Sequence, residues 1–277
     1  MRQLYVIGDP VAHSLSPLIH RAMIRQTGAA YRYDVRTVRP GELADFVSWA
    51  KDGGCAGCNV TMPLKEAIVP LLDEVDGGAA ACGAVNTVCF REGRAIGHNT
   101  DGTGFLDSLA GHGADPCGQQ VLLLGAGGAA TAVCHALAQA GAARIAVCDR
   151  SIGRAETLAA RYPDCAVAGG LDELARYAAE SRLVVNATSL GMAGCAAFGD
   201  LSFLRAAPGD AVVYDLVYHP RRTALLETAA GLGLRAVGGI DLLIRQAVRA
   251  FAFFTGEEPD TAALYAALRE PLELDMG

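Results

Sequence analysis

Lys65 and Asp101 are the two residues whose types and settings best suit a proton transfer. Lys65 follows "NVTMP", a strand-like run closed by Pro63, and Asp101 lies in "GHNTDGTG", at the junction between two units of the chain. A lysine beside a carboxylate can deliver a proton to the alkoxide that forms when a ketone accepts hydride, while the carboxylate fixes its position. Most lysines are solvated surface cations. Here Asn59, Thr61, Asn86, Thr87 and Asn99 gather at neighbouring strand ends, and such neutral polar groups suit a small polyhydroxy substrate.

A hydride donor has its own signature further along. "LLLGAGGAA" sets Gly125, Gly127 and Gly128 between an apolar strand and a long helical run, with Ala130 in place of a third glycine. The first glycine allows a tight turn, Gly127 lets the backbone approach a pyrophosphate, and the helix N-terminus offers free N–H groups to it. The next strand ends in "CDRSIGR". Asp149 there suits the free 2′-hydroxyl of NAD, whereas Arg150 and Arg154 suit the 2′-phosphate of NADP. Two positive charges against one negative favour NADP, with NAD measurably used. Asp149 has a further course open to it, turning aside to pair with Arg154.

These residues need a scaffold of alternating strands and helices. "QLYVIGD", "YRYDVRTV" and "CAGCNVTMP" have strand character; "SPLIHRAMIRQTG", "ELADFVSWAKDGG" and "LKEAIVPLLDEV" have helical spacing, the first ending on Gly28 as a cap. "AVNTVCFREGRAIGHNTD" suggests a hairpin around "REGR". "QQVLLLG", "RIAVCDR", "RLVVNATSLGM" and "AVVYDLVYHP" are later strands, and the chain is helical from Ile240. The expected fold class is α/β with two α/β domains: an N-terminal substrate-binding catalytic domain over 1–101, joined by helices of 240–277 packing back on it, and a Rossmann-type dinucleotide-binding domain over 102–239. A cleft between the two would take the ligands.

The 277 residues are 52% apolar, enough for a sizeable core, and a net charge of −7 without any basic run argues against a nucleic-acid partner. No apolar run reaches the ~18 residues of a membrane span. The N-terminus is soon broken by Asp9-Pro10 and does not resemble a signal peptide. A soluble, cytoplasmic protein is expected. Nine cysteines are spread along the chain, and Cys55 and Cys58 form one CxxC with no second pair at zinc spacing. Free thiols and no bound metal are the expectation. Trp49 and Phe251–Phe254 are expected in the core, and His13 is expected to orient its loop.

The chain resembles the shikimate dehydrogenases. "GDPVAHSLSP..H", "NVTMPLK", "GAVNTV", "NTDGTGF", "NATSLGM", "DLVYHPRRTALL" and "GGIDLLIRQA" follow that family's motifs in order over nearly the whole chain. The resemblance implies reversible reduction of 3-dehydroshikimate to shikimate with a nicotinamide cofactor, in aromatic amino acid biosynthesis. It implies Lys65 and Asp101 as the catalytic pair. It also implies Ser14 and Ser16, with Tyr218, on the substrate carboxylate, and Thr61, Asn86, Asp101 and Gln246 on the ring hydroxyls. The pyrophosphate would lie on Gly125, Ala126, Gly127, Gly128 and Ala129, and Thr188, Leu216 and Gly239 would lie along the cofactor. Three positions depart from the family pattern: Arg21 replaces the common Asn, Cys58 replaces an aromatic, and Asp149 replaces the Asn usual in NADP-dependent members. The alternatives are an NAD-dependent quinate/shikimate dehydrogenase and a non-catalytic ligand-binding member. A monomer or a homodimer is expected.

Overall fold

The structure, a computed structural model, describes residues 1–275. It divides into two compact units, Met1–Gly104 with Ile244–Asp275, and Phe105–Leu243. Residues 276 and 277, the end of the helical segment expected to pack on the first domain, lie outside the described residues.

The first unit is built on strands β1 (Arg2–Gly8), β2 (Tyr31–Thr37), β3 (Gly57–Val60), β4 (Glu74–Val75), β5 (Thr87–Arg91) and β6 (Arg94–His98), in sheet order β2-β1-β3-β5-β6-β4. β1 pairs in parallel with β2 and β3, while β5 runs antiparallel to β3 and β6. Its helices are α1 (Ser16–Thr27), α2 (Leu43–Trp49), α3 (Leu64–Ala67), α4 (Gly77–Cys82) and the start of α5 (Asp101–Gly111). The β5–β6 hairpin forms where "REGR" suggested it. Glu92 and Gly93 both take positive φ, 53° and 71°, the geometry of the two-residue turn whose twist matches paired strands.

The expected single helix over "LKEAIVPLLDEV" is not formed. The α3 helix stops at Ala67, a 3₁₀ turn covers Val69–Leu71, and Glu74–Val75 join the sheet. Pro70 is the cause, because its ring has no N–H to donate and clashes with the preceding turn. The expectation that Trp49 and all of Phe251–Phe254 are core is also corrected. Phe251 and Phe254 are buried, but Phe253 is 39% and Trp49 37% exposed. A helix buries one stripe, so consecutive aromatics cannot all face inward. Phe253 instead stacks on His98, with centroids 3.8 Å apart, and Trp49 lies under the Arg36 guanidinium.

The second unit carries β7 (Gln120–Leu124), β8 (Arg144–Cys148), β9 (Ala166–Gly169), β10 (Leu183–Asn186), β11 (Val212–Asp215) and β12 (Arg235–Gly238), with helices α6 (Gly128–Gln139), α7 (Ile152–Ala159), α8 (Leu174–Glu180) and α9 (Ala224–Gly231). All strands are parallel, in the order β9-β8-β7-β10-β11-β12. Alternate residues of one strand feed opposite cores: Val121 and Leu123 pack with Val133 and Val147, Leu122 and Leu124 with Val184 and Val213. Burial on both faces is what a parallel sheet covered by helices requires. This is the Rossmann-type order, which reverses between β7 and β10, so the ends of those two strands form the crevice where such sheets bind ligands.

The chain closes with α10 (Ile240–Thr255) and α11 (Thr261–Asp275). Within the first unit α5 and α10 approach closely at Gly104, where a Cβ would fall 2.7 Å from the Gln246 nitrogen. No helix of the described residues is long and apolar enough to cross a membrane.

Candidate active site

The turns after β1 and β3 abut, with the Asp9 N–H donating to the Met62 carbonyl at 3.1 Å. Thr61 N–H donates to Ile7 O and its own carbonyl accepts from Leu64 N–H, both at 2.9 Å. That tight turn delivers Lys65 on the first turn of α3. Asp101 opens α5, where the unpaired N–H groups of a helix N-terminus favour a negative charge. Lys65 Nζ donates to Asp101 Oδ2 at 2.6 Å, and the side chains are 23% and 16% exposed. The pair is sheltered yet reachable.

Asn86 holds the other oxygen, its Nδ2 donating to Asp101 Oδ1 at 2.8 Å and to Thr100 Oγ1 at 3.0 Å. Its Oδ1 accepts from the Thr100 N–H at 2.9 Å and from Thr87 Oγ1 at 3.0 Å. Asn99 Oδ1 accepts the Asp101 N–H. The Thr100 hydroxyl reaches Gln246 Oε1 at 3.5 Å, the contact that the close approach at Gly104 permits. Ser14 and Ser16 meet at the start of α1, Ser14 Oγ accepting the Ser16 N–H at 3.3 Å. Ser14, Ser16, Thr61, Lys65, Asn86, Asp101 and Gln246 thus all fall in the first unit, while Tyr218 falls in the second. His13 is exposed.

Thr100 sits between Asn99 and Asp101 but carries no sequence signal of its own, and neither do Tyr33 and His20. The two rings stack at 4.1 Å, and burial drives the His20 pKa down to about 3, so this histidine is neutral.

In the second unit Gly125 has φ 109°, and a Cβ there would lie 3.0 Å from Thr188 Cγ2 and 3.1 Å from the Ala187 carbonyl. Only glycine lets the β7 turn pass the β10 turn in this conformation. Gly127 is the N-cap of α6 and no side chain caps the helix, so its first N–H groups are left for a ligand. Ala130 is fully buried, consistent with close packing of α6 on the sheet. These features fit the pyrophosphate of a dinucleotide.

Asp149 does not take the alternative course of pairing with Arg154. Asp149 Oδ2 accepts the Ala126 N–H at 3.0 Å and Oδ1 accepts the Ser151 N–H at 2.9 Å. Two obligatory backbone donors converge on the carboxylate and hold it against the glycine turn. Arg154 Nη2 donates instead to the Ala126 carbonyl at 3.1 Å. Arg150 is exposed.

Asn186 and Asp215, at the ends of β10 and β11, tie the remaining cofactor candidates together. Asn186 Oδ1 accepts from the Thr188 N–H at 3.0 Å and hydroxyl at 2.6 Å, and its Nδ2 donates to Asp215 Oδ1 at 2.8 Å. Asp215 also accepts from the Val217 N–H at 3.0 Å and from Thr223 Oγ1 at 2.6 Å. Burial raises the Asp215 pKa, while these hydrogen bonds oppose the rise. Thr188 and the Leu216–Tyr218 turn are thereby fixed to one buried carboxylate. Gly239 N–H donates to Val217 O at 3.3 Å. Tyr218, whose phenol pKa burial raises, lines a cavity of about 460 Å³ with Val217, Arg221 and Gly239. The signal for Asn186 and Asp215 was a lone polar residue ending an apolar strand, in "RLVVN" and "AVVYD".

Burial pushes the Cys55 thiol up to about 12 and Cys58 well above its ordinary value, whereas metal binding and thiol redox chemistry use the thiolate. Among the described residues no group of three or more His, Cys, Asp or Glu is placed to hold a metal ion.

Three family descriptions match successive parts of the chain: shikimate dehydrogenase substrate-binding domain (residues 6–88), shikimate/quinate 5-dehydrogenase (109–192) and shikimate 5′-dehydrogenase C-terminal domain (239–269). A shikimate dehydrogenase (NADP⁺) of Brucella canis is 40% identical, covering 99% of this chain and 95% of its own length. Among solved structures, shikimate 5-dehydrogenase from Thermus thermophilus, in complex with NADP(H) and shikimate, is 37% identical with a TM-score of 0.88, over 98% of this chain and 99% of that one. Quinate dehydrogenase from Corynebacterium glutamicum, in complex with NAD, is 34% identical with a TM-score of 0.88, over 97% and 99%. With matches along this whole length, the chain belongs to the shikimate dehydrogenase family.

Proposed function

We propose that this chain reversibly reduces 3-dehydroshikimate to shikimate in aromatic amino acid biosynthesis, as a cytoplasmic monomer or homodimer without a nucleic-acid or membrane partner. The observation that carries the reading is the sheltered 2.6 Å contact between Lys65 and Asp101. NADPH, when bound, supplies the hydride. Lys65 has three N–H donors. One is held by Asp101, which leaves the others to meet the carbonyl oxygen and deliver its proton. In the reverse direction the lysine, as a neutral amine, takes that proton from the shikimate hydroxyl. Asp101, Asn86, Thr61 and Gln246 hold the ring hydroxyls, and Ser14, Ser16 and Tyr218 hold the carboxylate. Gly125 to Ala129 take the pyrophosphate; Asp149, Arg150 and Arg154 surround the adenosine ribose; Thr188, Leu216 and Gly239 lie along the rest of the cofactor.

A second reading, an NAD-dependent quinate/shikimate dehydrogenase, is supported by Asp149 and by the likeness to the quinate enzyme. The test is kcat/KM for shikimate and for quinate, each with NADP and with NAD. Highest efficiency for shikimate with NADP is expected. Preference for quinate with NAD would replace the reading, and binding without turnover would mark a non-catalytic member.

The Ser14→Ala/Ser16→Ala double variant is expected to raise KM for shikimate by about tenfold or more, as befits two lost hydrogen bonds to a charged group. The KM for NADP should stay nearly unchanged. Equal rises in both KM values would show that these serines do not serve the substrate alone.

A further inference from the structure

A buried chain of side chains runs behind the Lys65–Asp101 pair. The Tyr33 hydroxyl donates to Asn59 Oδ1 at 2.7 Å. Asn59 Nδ2 donates to the Asn86 carbonyl at 3.3 Å and to Thr87 Oγ1 at 3.2 Å. Thr87 Oγ1 donates to Asn86 Oδ1 at 3.0 Å, and Asn86 Nδ2 donates to Asp101 Oδ1 at 2.8 Å. Asn59 is 6%, Asn86 3% and Thr87 0% exposed, so water does not compete with these bonds.

The direction of every bond in this chain is set by two backbone groups. An amide side chain has two orientations that differ by exchanging oxygen and nitrogen. The Asn86 carbonyl can only accept, which turns Asn59 Nδ2 toward it. The Thr100 N–H can only donate, which turns Asn86 Oδ1 toward it at 2.9 Å. Thr87 lies between the two amides. Since it receives a hydrogen from Asn59, its own must go to Asn86 Oδ1. With the Thr100 hydroxyl also 3.2 Å from Asn86 Oδ1, three contacts on that oxygen hold the Asn86 NH₂ group on the Asp101 carboxylate, and Thr87 is the one that belongs to the buried chain. The far end of the chain is electrically quiet: burial raises the Tyr33 phenol pKa and leaves His20, stacked on it, neutral.

We propose that Thr87 is a positioning residue for the reaction: its hydroxyl, at the centre of the buried chain Tyr33–Asn59–Thr87–Asn86, keeps the Asn86 amide turned onto Asp101 and so keeps the Asp101 carboxylate seated on Lys65. Thr87 touches neither substrate nor cofactor in this role. It acts by limiting the range of positions open to the lysine ammonium, and misplacement of a reacting group by about 1 Å can cost up to ~10² in rate. The proposal rests on Lys65 and Asp101 carrying the proton transfer.

The test compares Thr87→Val, which keeps the shape and removes the hydroxyl, with Thr87→Ser, which keeps the hydroxyl, in shikimate oxidation by NADP. Thr87→Ala serves as a second hydroxyl-free variant if the valine protein does not fold. The hydroxyl-free variant is expected to lose about tenfold or more in kcat with little change in the KM for NADP, and the serine variant to stay within about threefold of the parent. Val88→Ala, next along β5 and buried in the apolar core, is the stability control: it should lower the melting temperature while keeping kcat. Three results would overturn the proposal: a hydroxyl-free variant within about threefold of the parent kcat, a serine variant as impaired as the valine one, or an equal loss in Val88→Ala. Lys65→Ala is measured beside them. If it stays near the parent rate, the proton-transfer reading fails; if it is impaired while Thr87→Val is not, only the role of Thr87 fails.

Discussion

Lys65→Ala is expected to lower kcat by ~10²–10⁴, the usual loss when one positioned acid/base group is removed, with a far smaller change in the KM for shikimate. The expectation follows from what remains in the variant. Asp101 keeps its Asn86 Nδ2 donor and stays partly open to solvent, so its charge is not stranded. Ser14, Ser16 and Thr61 are untouched, and a substrate held by them still binds. What is lost is the N–H group that would meet the carbonyl oxygen, an interaction that matters most as charge develops there. The side chains of the pair are only 23% and 16% exposed, so losing the lysine should also cost some stability, about 1–3 kcal/mol. A cooperative melting transition that stays above the assay temperature therefore separates lost chemistry from lost folding. A near-normal kcat in the folded variant would end the assignment of Lys65.

The meeting of Lys65 and Asp101, 36 residues apart, was legible because each follows a recognisable strand end: "NVTMPLK" leaves β3 and "HNTDG" leaves β6. The glycine turn after β7 was legible for the same reason, since the strand, the turn residues and the helix all agree. Three things were not. The helix expected from Leu64 onward failed at Pro70, a local signal outweighed by the apolar spacing around it. Asn186 and Asp215 are marked in the sequence only as polar ends of apolar strands, and Thr100 not at all; the roles of all three depend on which backbone N–H groups converge on a side chain, which no spacing along the chain encodes. Asp149 is the plainest case. Charge counting weighed it against Arg150 and Arg154 and left pairing with Arg154 open, but two backbone donors, Ala126 N–H and Ser151 N–H, claim the carboxylate.

That geometry sharpens the expectation for the cofactor. With both oxygens of Asp149 accepting backbone N–H groups, its charge is partly neutralised before any ribose arrives, and it repels a 2′-phosphate less than a free carboxylate would. Arg154 is engaged at the Ala126 carbonyl, beside the turn assigned to the pyrophosphate. NADP and NAD share the pyrophosphate, so Arg154→Ala should weaken both cofactors, while its remaining N–H donors on the ribose side add to the loss for NADP. Arg150 is the residue most able to tell them apart: it is exposed and, among the described residues, makes no hydrogen bond or ion pair. A charge-assisted hydrogen bond to phosphate contributes about 1.5–3 kcal/mol, so Arg150→Ala should lower kcat/KM for NADP by about 10- to 100-fold and for NAD far less. Asp149→Asn should raise the ratio of NADP to NAD efficiency by removing the charge. It should also lower both efficiencies, because an amide offers one acceptor oxygen where two N–H groups converge, and the turn they brace serves either cofactor. The measurement that decides is kcat/KM for NADP and NAD in the parent enzyme at one ionic strength. A clear preference for NAD would mean that the Asp149 carboxylate meets the ribose hydroxyls despite its backbone partners, and that Arg150 does not govern the choice.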